Sequence, residues 1–398
     1  MPRGAGRQDD ASAPPLERGT NMKYEQLQAL VPAPGQAPDY QACLAAFPAL
    51  EHAKTTPQAP AHHGEGDVWT HTTMVVDALL ALPDYQAASR ADQEIVFLAA
   101  LLHDIAKYST TTIDPETGAI GHPGHSRKGA IDARIALWDA GVPFDTREAI
   151  CRLIGVHQVP FFAIRGARRG SPEFLARELS WQVSLPLLCL LAEADMRGRI
   201  CDDAPRVLDD IELFRELARE EGCYGRPRAF ADAHTALSYF RGADVHPDYP
   251  LFQPPGSKVI VMSGLPASGK NTWVAQHHPD LPVVSFDDAR DALGLRHGQN
   301  EGRVAHRAID SAKALLRDGR PFVWNATNLS ALMRKKTLDL LFAYHAEVTL
   351  VYLEQPRATL LRRNARRDTS LSNRALEGML LRWDLPLPTE AHAVIYGG

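Results

Sequence analysis

A glycine-rich segment in the last third of the chain has the residues that a phosphate-binding loop needs. GLPASGKNT occupies residues 264–272, fits the pattern G-x-x-x-x-G-K, and lies between an apolar run and a helical pattern. In this pattern the backbone N–H groups face phosphate oxygens, and Lys270 neutralises the charge of the β- and γ-phosphates. The spacing predicts a site for ATP and Mg²⁺. Its predicted residues are Gly264, Ser268, Gly269, Lys270, Asn271 and Thr272.

One position of this loop departs from the pattern. The Ser or Thr that normally follows the lysine and contacts magnesium is replaced by Asn271, and Thr272 comes next. An Asn side chain can offer a carbonyl oxygen to Mg²⁺, as a Thr can offer a hydroxyl. The sequence leaves both residues as candidates for the contact with the ion.

Charged residues that suit phosphoryl transfer follow the loop. Asp287 and Asp288 end the next apolar run, where strand ends of a parallel sheet face the ligand crevice. An acid there suits a general base that takes a proton from an attacking hydroxyl, and Arg290, three residues on, can hold a phosphate. In LLRRNARR, Arg363 and Arg367 share one face of a predicted helix, from which both can reach the phosphate donor.

These segments, with TNLS at 327–330, resemble the 5'-hydroxyl polynucleotide kinases of the phage end-healing type over about residues 257–385. The resemblance implies a phosphate-binding lysine, a general base, an arginine toward the acceptor and two lid arginines. In that order they are Lys270, Asp287, Arg290, and Arg367 with Arg363. Two positions depart from the family: Asn271 stands at its Ser position, and Ala326 stands where the family has an acid.

The first half of the chain contains a second set of candidates, with the side chains of a metal site. His103 and Asp104 lie between LAALL and IAK, which predicts a helix that continues through Asp104 to Lys107 three residues on, and an adjacent His and Asp near a helix end can bind one metal. The other candidate ligands are His71, His125, His157 and Asp195. Such donors suit Mn, Fe, Co, Ni or Zn, which activate a bound water or polarise a phosphate. Lys107 either caps its helix or holds a phosphate oxygen.

The order His, HD, His, His, Asp resembles the HD phosphohydrolase superfamily. DVWTHTTMVVDALL, LLHDIAKYSTT and GHSRKGA look closest to the form attached to bacterial RNA nucleotidyltransferases, and the resemblance covers roughly residues 65–200. It implies a mononuclear set of four ligands and two extra ligands of binuclear members. The four are His71, His103, Asp104 and Asp195, and the two are His125 and His157. Three other histidines are expected in loops, the first two exposed to solvent: His62, His63 and His122.

Two kinds of structural element must position these residues. From about 24 to 230, apolar residues recur at helical spacing, which predicts an all-α bundle. After a proline-rich stretch, KVIVMSG, PVVSFDD, PFVWNATN and VTLVYLEQP alternate with helical segments, which predicts an α/β domain with a parallel sheet. The predicted organisation is multidomain. It comprises a disordered lead at 1–23, an HD domain at 24–245, a linker at 246–258 and a P-loop kinase domain at 259–398.

Composition narrows the class of protein further. A chain of 398 residues with 45% hydrophobic and 23% charged residues is long enough for two or three globular domains. A net charge of -5 excludes a protein that holds nucleic acid by bulk basic charge, so such contacts must be local. Five cysteines without a CxxC pair favour a reducing compartment, and the longest apolar runs are too short to span a membrane. We therefore expect a cytoplasmic protein, with Met1 or Met22 as its start.

Together the two halves resemble the bacterial bifunctional end-healing enzymes known as HD-Pnk. The resemblance implies removal of 2',3'-cyclic, 2'- or 3'-phosphates by the HD half and phosphorylation of 5'-hydroxyl ends by the kinase half. The expected partners are then RNA or DNA strand ends and ATP, with a separate ligase as a further candidate, and no membrane. Two alternatives remain open. One is an HD nucleotidase fused to a nucleoside-level kinase, and the other is an ATP-binding switch that regulates an HD phosphohydrolase.

Overall fold

The structure, a computed structural model, describes residues 22–166, 170–296, 298–366 and 371–397 of the chain. By their contacts the described residues fall into two compact units. The first lies within Met1–Gln158 and Leu190–Leu208, and the second within Val159–Cys189 and Asp209–Gly398. These units group residues by contact and not by continuous sequence, so the boundaries predicted at 245 and 258 stay predictions. Most of the lead predicted at 1–23 lies outside the described residues.

Between residues 24 and 240 the described chain is mainly helical. Side-chain caps begin several helices: Asp67 accepts a hydrogen bond from the Thr70 amide, and Ser89 accepts one from the Asp92 amide. The helices are α1 Tyr24–Gln28, α2 Tyr40–Ala46, α3 Val68–Ala81, α4 Pro83–Ala87, α5 Arg90–Leu102, α6 Lys107–Thr110, α7 His125–Asp139, α8 Phe144–Val156, α9 Pro172–Ser180, α10 Leu185–Arg197, α11 Ala204–Glu220 and α12 Ala233–Phe240, with 3₁₀ segments at Pro48–Thr55 and Val159–Phe161.

Helix α5 lies at the centre of the first unit. It is buried on every side from Val96 to Leu102 and packs against α3 and α8. The sequence predicted one helix running on through Asp104 to Lys107, which is wrong. Instead α5 ends at Leu102, and a turn in which the Lys107 amide donates to the Asp104 carbonyl leads into α6. This turn places His103 and Asp104 in the interior of the unit.

A short antiparallel pair departs from the predicted all-helical pattern. Strand β1 Thr112–Ile113 pairs with β2 Ile120–Gly121. In the connecting turn, the Asp114 carboxylate accepts hydrogen bonds from two backbone amides, which stabilises the reversal. The pair lies between α6 and α7, so it links two segments that carry predicted site residues.

The second unit contains a parallel sheet. Its strands are β3 Lys258–Ser263, β4 Val283–Ser285, β5 Phe322–Asn325, β6 Glu347–Leu353 and β7 Ala393–Gly397. In the described part of the chain, these five strands lie in the order β4-β5-β3-β6-β7, and all neighbouring pairs are parallel. The four apolar runs that predicted strands form β3 to β6, whereas β7 was not predicted.

Helices cover both faces of this sheet. Val259 and Val261 of β3 belong to a core that includes Leu338, while Met262 faces the other way and packs with Val274. Burial on both faces explains why these strands are continuous apolar runs. The helices are α13 Lys270–His277, α14 Phe286–Ala292, α15 Glu301–Arg317, α16 Ala331–Phe342, α17 Arg357–Ala365 and α18 Asn373–Leu380. The predicted fold class, a helical HD region followed by an α/β P-loop domain, is confirmed.

No single helix among the described residues is long and apolar enough to span a bilayer, although the bent pair α9 and α10 together reaches that length and apolar composition.

Candidate functional site

The residues predicted as metal ligands come together inside the first unit. They lie on α3, at the end of α5, on α7, at the end of α8 and on α10, and all are buried. They are His71, His103, Asp104, His125, His157 and Asp195. Convergence from five separate parts of the chain is what a site built by the tertiary fold requires.

Imidazole nitrogens and carboxylate oxygens face one another at the centre of this cluster. Nε2 of His71 lies 3.1 Å from Oδ1 of Asp195 and 3.3 Å from Nε2 of His103. Nε2 of His103 lies 3.0 Å from Oδ2 of Asp104, whose Oδ1 is 3.4 Å from Nε2 of His125. Donor atoms about 2.1 Å from a shared ion lie roughly 3.0–3.4 Å apart, so these spacings fit a metal centre.

The partners of the other ring nitrogen, Nδ1, determine the tautomer of each histidine in the cluster. Nδ1 of His103, His125 and His157 lies 2.7–2.8 Å from a backbone carbonyl oxygen three residues earlier. Nδ1 of His71 lies 3.2 Å from the Gly198 carbonyl oxygen and 3.0 Å from a carboxylate oxygen of Glu65. Since these partners only accept, Nδ1 carries the hydrogen in each ring. Every Nε2 therefore points its lone pair toward the centre, as metal ligands do.

Buried atoms without partners give a further test of the fit. Nε2 of His157 has no hydrogen-bond partner among the described residues, and it lies 4.0 Å from oxygens of Asp104 and Asp195. The Asp104 oxygens also lack a hydrogen bond of good geometry within the described chain, although Nζ of Lys107 is 2.7 Å from Oδ2. Such atoms are costly to bury unless something else binds them. The donor set therefore fits a divalent transition metal.

The pKa shifts agree with this assignment. Burial lowers the pKa of His157 to about 3 and also lowers that of His125, which keeps both rings neutral. Burial alone would lower the pKa of His103, but the carboxylate charges of Asp104 and Asp195 outweigh it and raise the pKa. The field at His103 thus favours a positive charge, which a proton or a metal ion can supply.

Three neighbours of the cluster were not predicted as site residues. Arg199 donates hydrogen bonds to both oxygens of Asp195, and Gln58 accepts one from Nζ of Lys107 at 2.6 Å. Glu65 contacts His71 and His63 through one oxygen. Burial would raise the pKa of Glu65, but hydrogen bonds from His63, His71 and the Ile200 amide hold it well below its ordinary range.

Of these three neighbours, Arg199 could have been expected from the sequence. It lies four residues after Asp195, a spacing at which two side chains on a helix are neighbours. His63 was predicted to be exposed, which is wrong: it is 7% exposed, because its ring packs edge-on against that of His71. His62 is exposed, as predicted.

In the second unit, the phosphate-loop residues form a turn between β3 and α13. Gly264 and Gly269 have φ values of 139° and 101°, which L side chains rarely adopt. A Cβ on Gly264 would lie 2.2 Å from the Leu353 carbonyl oxygen, so the loop needs glycine there. Nζ of Lys270 donates to the carbonyl oxygens of Gly264 and Leu265 at 3.0 and 2.9 Å. The lysine therefore lies over the loop with which it is predicted to bind phosphates.

Three other loop residues have different surroundings. The buried Oγ of Ser268 has no hydrogen-bond partner among the described residues. Oδ1 of Asn271 accepts a hydrogen bond of 2.8 Å from Nδ2 of Asn325, at the end of β5. Thr272 is exposed. The Asn271 carbonyl oxygen thus already accepts a hydrogen bond, whereas the buried Ser268 hydroxyl has no partner within the described chain.

The predicted acid and its arginine are paired with each other. Asp287 lies in the first turn of α14, and its side chain is 71% exposed. Nη1 of Arg290 donates to Oδ1 of Asp287 at 2.6 Å, and its Nη2 lies 3.1 Å from Oε2 of Glu301. The Arg290 side chain is therefore held by two carboxylates, and Asp287 is open to a solvent-borne hydroxyl.

Of the two predicted lid arginines, Arg363 lies in the described part of the chain. Nη1 of Arg363 lies 3.6 Å from where a Cβ on Gly269 would be, which places this guanidinium beside the loop. Arg367 lies outside the described residues. In TNLS, the Thr327 carbonyl oxygen accepts from the Gly264 amide, and Nδ2 of Asn328 donates to the Met262 carbonyl oxygen. This segment thus holds the loop against β3.

Comparison with known proteins agrees with both halves. Residues 68–195 match the family model of the HD domain, and residues 259–386 match a family model described as an AAA domain. The chain therefore joins an N-terminal HD domain to a P-loop kinase-like domain.

Two relatives are similar to parts of this chain. The chain is 35% identical over 219 residues to the CC-adding tRNA nucleotidyltransferase of Thermus thermophilus, across 46% of this chain and 48% of that protein. It is 45% identical over 78 residues to the multifunctional CCA protein of Halorhodospira halophila, across 20% of this chain and 16% of that protein. The chain thus matches half or less of either relative. Among solved structures, Kti12 of Chaetomium thermophilum in complex with ADP-AlF3 is 17% identical, with a TM-score of 0.28, over 35% of this chain and 88% of that one.

Proposed function

We propose that this protein heals broken nucleic-acid strands at both ends. Its P-loop domain transfers the γ-phosphoryl group of ATP to a 5'-hydroxyl end, and its HD domain removes 2',3'-cyclic, 2'- or 3'-phosphates. The observation that carries the proposal is the presence in one chain of two phosphate-directed sites of different chemistry. One is a buried imidazole and carboxylate cluster, and the other is a glycine loop with a lysine above it.

The kinase reaction uses residues with distinct tasks. The loop amides and Lys270 bind the ATP phosphates together with Mg²⁺, and Arg363 and Arg367 stabilise charge on the transferred group. Asp287 takes the proton of the attacking 5'-hydroxyl, for which its exposed carboxylate is open. Arg290 orients Asp287 and faces the acceptor strand.

The phosphoesterase reaction uses the buried cluster. His71, His103, Asp104 and Asp195 would hold one Mn, Fe, Co, Ni or Zn ion, and His125 and His157 would hold a second. Such an ion supplies an activated water and a polarised phosphoester when it is bound. Lys107, whose Nζ is 2.7 Å from Oδ2 of Asp104, contributes positive charge that favours binding of a phosphate oxygen.

Strand ends are favoured as substrates over free nucleotides. RNA cleavage without metals leaves a cyclic phosphate on one strand and a 5'-hydroxyl on the other, so the two activities complement each other. The Thermus relative is a CC-adding tRNA nucleotidyltransferase, which supports an RNA strand as acceptor. Healed ends would then pass to a separate ligase.

A second candidate is an ATP-binding switch that regulates the HD domain. The hydrogen bond that occupies the Asn271 oxygen favours it, because a P-loop kinase normally has a hydroxyl at this position for magnesium. The nucleoside-level kinase fused to an HD nucleotidase is the other alternative, and in it both sites act on free nucleosides or nucleotides instead of strand ends.

A nicked duplex that carries a 2',3'-cyclic phosphate and a 5'-hydroxyl tests both halves together. The full chain is incubated with labelled ATP and with each metal in turn on this RNA nick, and in parallel on a DNA nick that carries a 3'-phosphate, because DNA lacks the 2'-oxygen that a cyclic phosphate needs. We expect label on the 5' end and loss of the cyclic phosphate. Label on nucleosides but not on strands would replace the proposal with the nucleoside kinase, and ATP binding without any transfer would favour the switch.

A further inference from the structure

One histidine of the metal cluster is held differently from the other three. Nδ1 of His103, His125 and His157 lies against a backbone carbonyl oxygen three residues earlier. Nδ1 of His71 instead lies 3.0 Å from the side-chain oxygen Oε1 of Glu65, in addition to its backbone contact. A carboxylate is a stronger acceptor than a carbonyl because it carries a full negative charge. His71 is therefore the ring whose donor strength depends on another side chain.

Glu65 is itself held in place from several sides. Its side chain is 1% exposed, although it is a charged group in a loop before α3. Oε1 lies 2.8 Å from Nδ1 of His63, and Oε2 accepts a hydrogen bond of 2.9 Å from the Ile200 amide. Burying a carboxylate is costly unless donors compensate it, and three donors do so here. Its position relative to His71 is thus fixed by the fold.

The same three side chains have the composition of a separate metal site, since His63, Glu65 and His71 bring donor atoms close together. The distances argue against that role. Oε1 of Glu65 lies 2.8 Å and 3.0 Å from the two Nδ1 atoms, as in hydrogen bonds. Nε2 of His71 already faces Asp195 and His103. A hydrogen-bonded support for His71 accounts for both observations.

We propose that Glu65 is a positioning residue of the metal centre, which fixes the His71 ring and strengthens Nε2 as a ligand. This inference rests on the metal centre of the proposed function, but not on the identity of its phosphoester. Loss of a carboxylate behind a ligand histidine typically weakens metal affinity about 10- to 100-fold. The effect acts through His71, so Glu65 needs no contact with the substrate.

The test is a titration of the full-length apo-protein with Co²⁺ alone. Dissociation constants come from calorimetry, and the ligand-field absorption of bound Co²⁺ reports on the donor set. We expect Glu65→Ala to bind about 10- to 100-fold more weakly than wild type with an altered spectrum. Glu65→Gln should fall between them, because its amide oxygen still accepts from Nδ1 but carries no charge. Glu94→Gln is the matched control: Glu94 is also buried, but it bonds to Gln28 and contacts no ligand.

The outcomes separate three possibilities. Wild-type affinity and spectrum in Glu65→Gln and Glu65→Ala would overturn the inference, as would an equal loss in the Glu94→Gln control. If Glu65→Ala does not fold, Glu65→Gln decides alone, with its melting temperature without metal as the check. If wild type binds no Co²⁺ at all, the metal centre itself is refuted, and Glu65 loses its role with it.

Discussion

The two sites of this protein are built in opposite ways. In the first unit, every predicted ligand is buried, and each imidazole has its outer nitrogen held by an acceptor. In the second unit, the binding surface is mostly backbone, and the proposed base, Asp287, is 71% exposed. The first site is a product of tertiary packing, whereas the phosphate loop of the second is formed by one strand, one turn and one helix.

The difference has a physical consequence. Buried charges and imidazoles are stable only while their partners remain, so a metal bound at this cluster would couple chemistry to folding. A phosphate loop uses amides and a helix start that the backbone supplies in any case. Side-chain changes at the second site should therefore alter activity with little change in stability, while changes at the first site should alter both.

The largest expected effect follows His103→Ala. It removes a central ligand, so release of phosphate from a 2',3'-cyclic end should fall by at least about 10³-fold, while kinase activity stays. Wild type should gain about 2.7 kcal/mol of stability at a metal concentration 100 times its dissociation constant, and the variant should gain almost none. The measurements are product release and melting temperature with and without metal. A folded variant that loses both activities would contradict the separation of the two sites.

Asp287→Asn should give the next largest loss. Replacing a general base removes proton transfer, which typically contributes about 10²- to 10⁴-fold to the rate. Asp288→Asn is the matched control, because Asp288 is the exposed neighbour on the same turn. The assay is label transfer to a 5'-hydroxyl oligonucleotide, with melting temperature as the check on stability. Equal losses in both variants would show that the charge of the turn matters and not one base.

The sequence revealed the second unit more completely than the first. Strands β3 to β6 could be predicted because a parallel strand buried on both faces is a continuous apolar run. Strand β7 was missed, since it lies at the edge of the sheet and its residues are only partly buried. The phosphate loop could be predicted because its function depends on local spacing.

The metal cluster shows why the remainder could not be predicted. The ligand types could be identified in the sequence, but the break of α5 before His103 and the burial of His63 depend on packing between distant segments. Glu65 lies in a loop with no periodic pattern, and its contact with the Ile200 amide joins positions 135 residues apart. The residues that support a ligand are therefore harder to predict than the ligands themselves.

Lys270→Ala tests whether a side-chain change at the phosphate loop lowers activity with little change in stability. Loss of a positioned positive charge at a transferring phosphate typically costs about 10²- to 10³-fold in rate, and we expect this loss in the kinase assay. Lys258→Ala, an exposed lysine at the start of β3, is the matched control and should keep full activity. Phosphoesterase activity and melting temperature should be unchanged in both. A large fall in the melting temperature of Lys270→Ala would mean that the loop, too, depends on side-chain packing.

The smallest expected effect concerns the position that departs from the phosphate-loop pattern. The Asn271 oxygen accepts from Asn325, so one of its two lone pairs is already used and magnesium would have to share the oxygen with that hydrogen bond. Asn271→Ser supplies a hydroxyl, and the Mg²⁺ concentration for half-maximal kinase rate should fall about two- to tenfold, the range of one hydrogen bond. Thr272→Val, at an exposed position, should leave it unchanged. If Asn271→Ser instead raises the Mg²⁺ requirement, the amide oxygen is the ligand and must leave Asn325 when ATP binds.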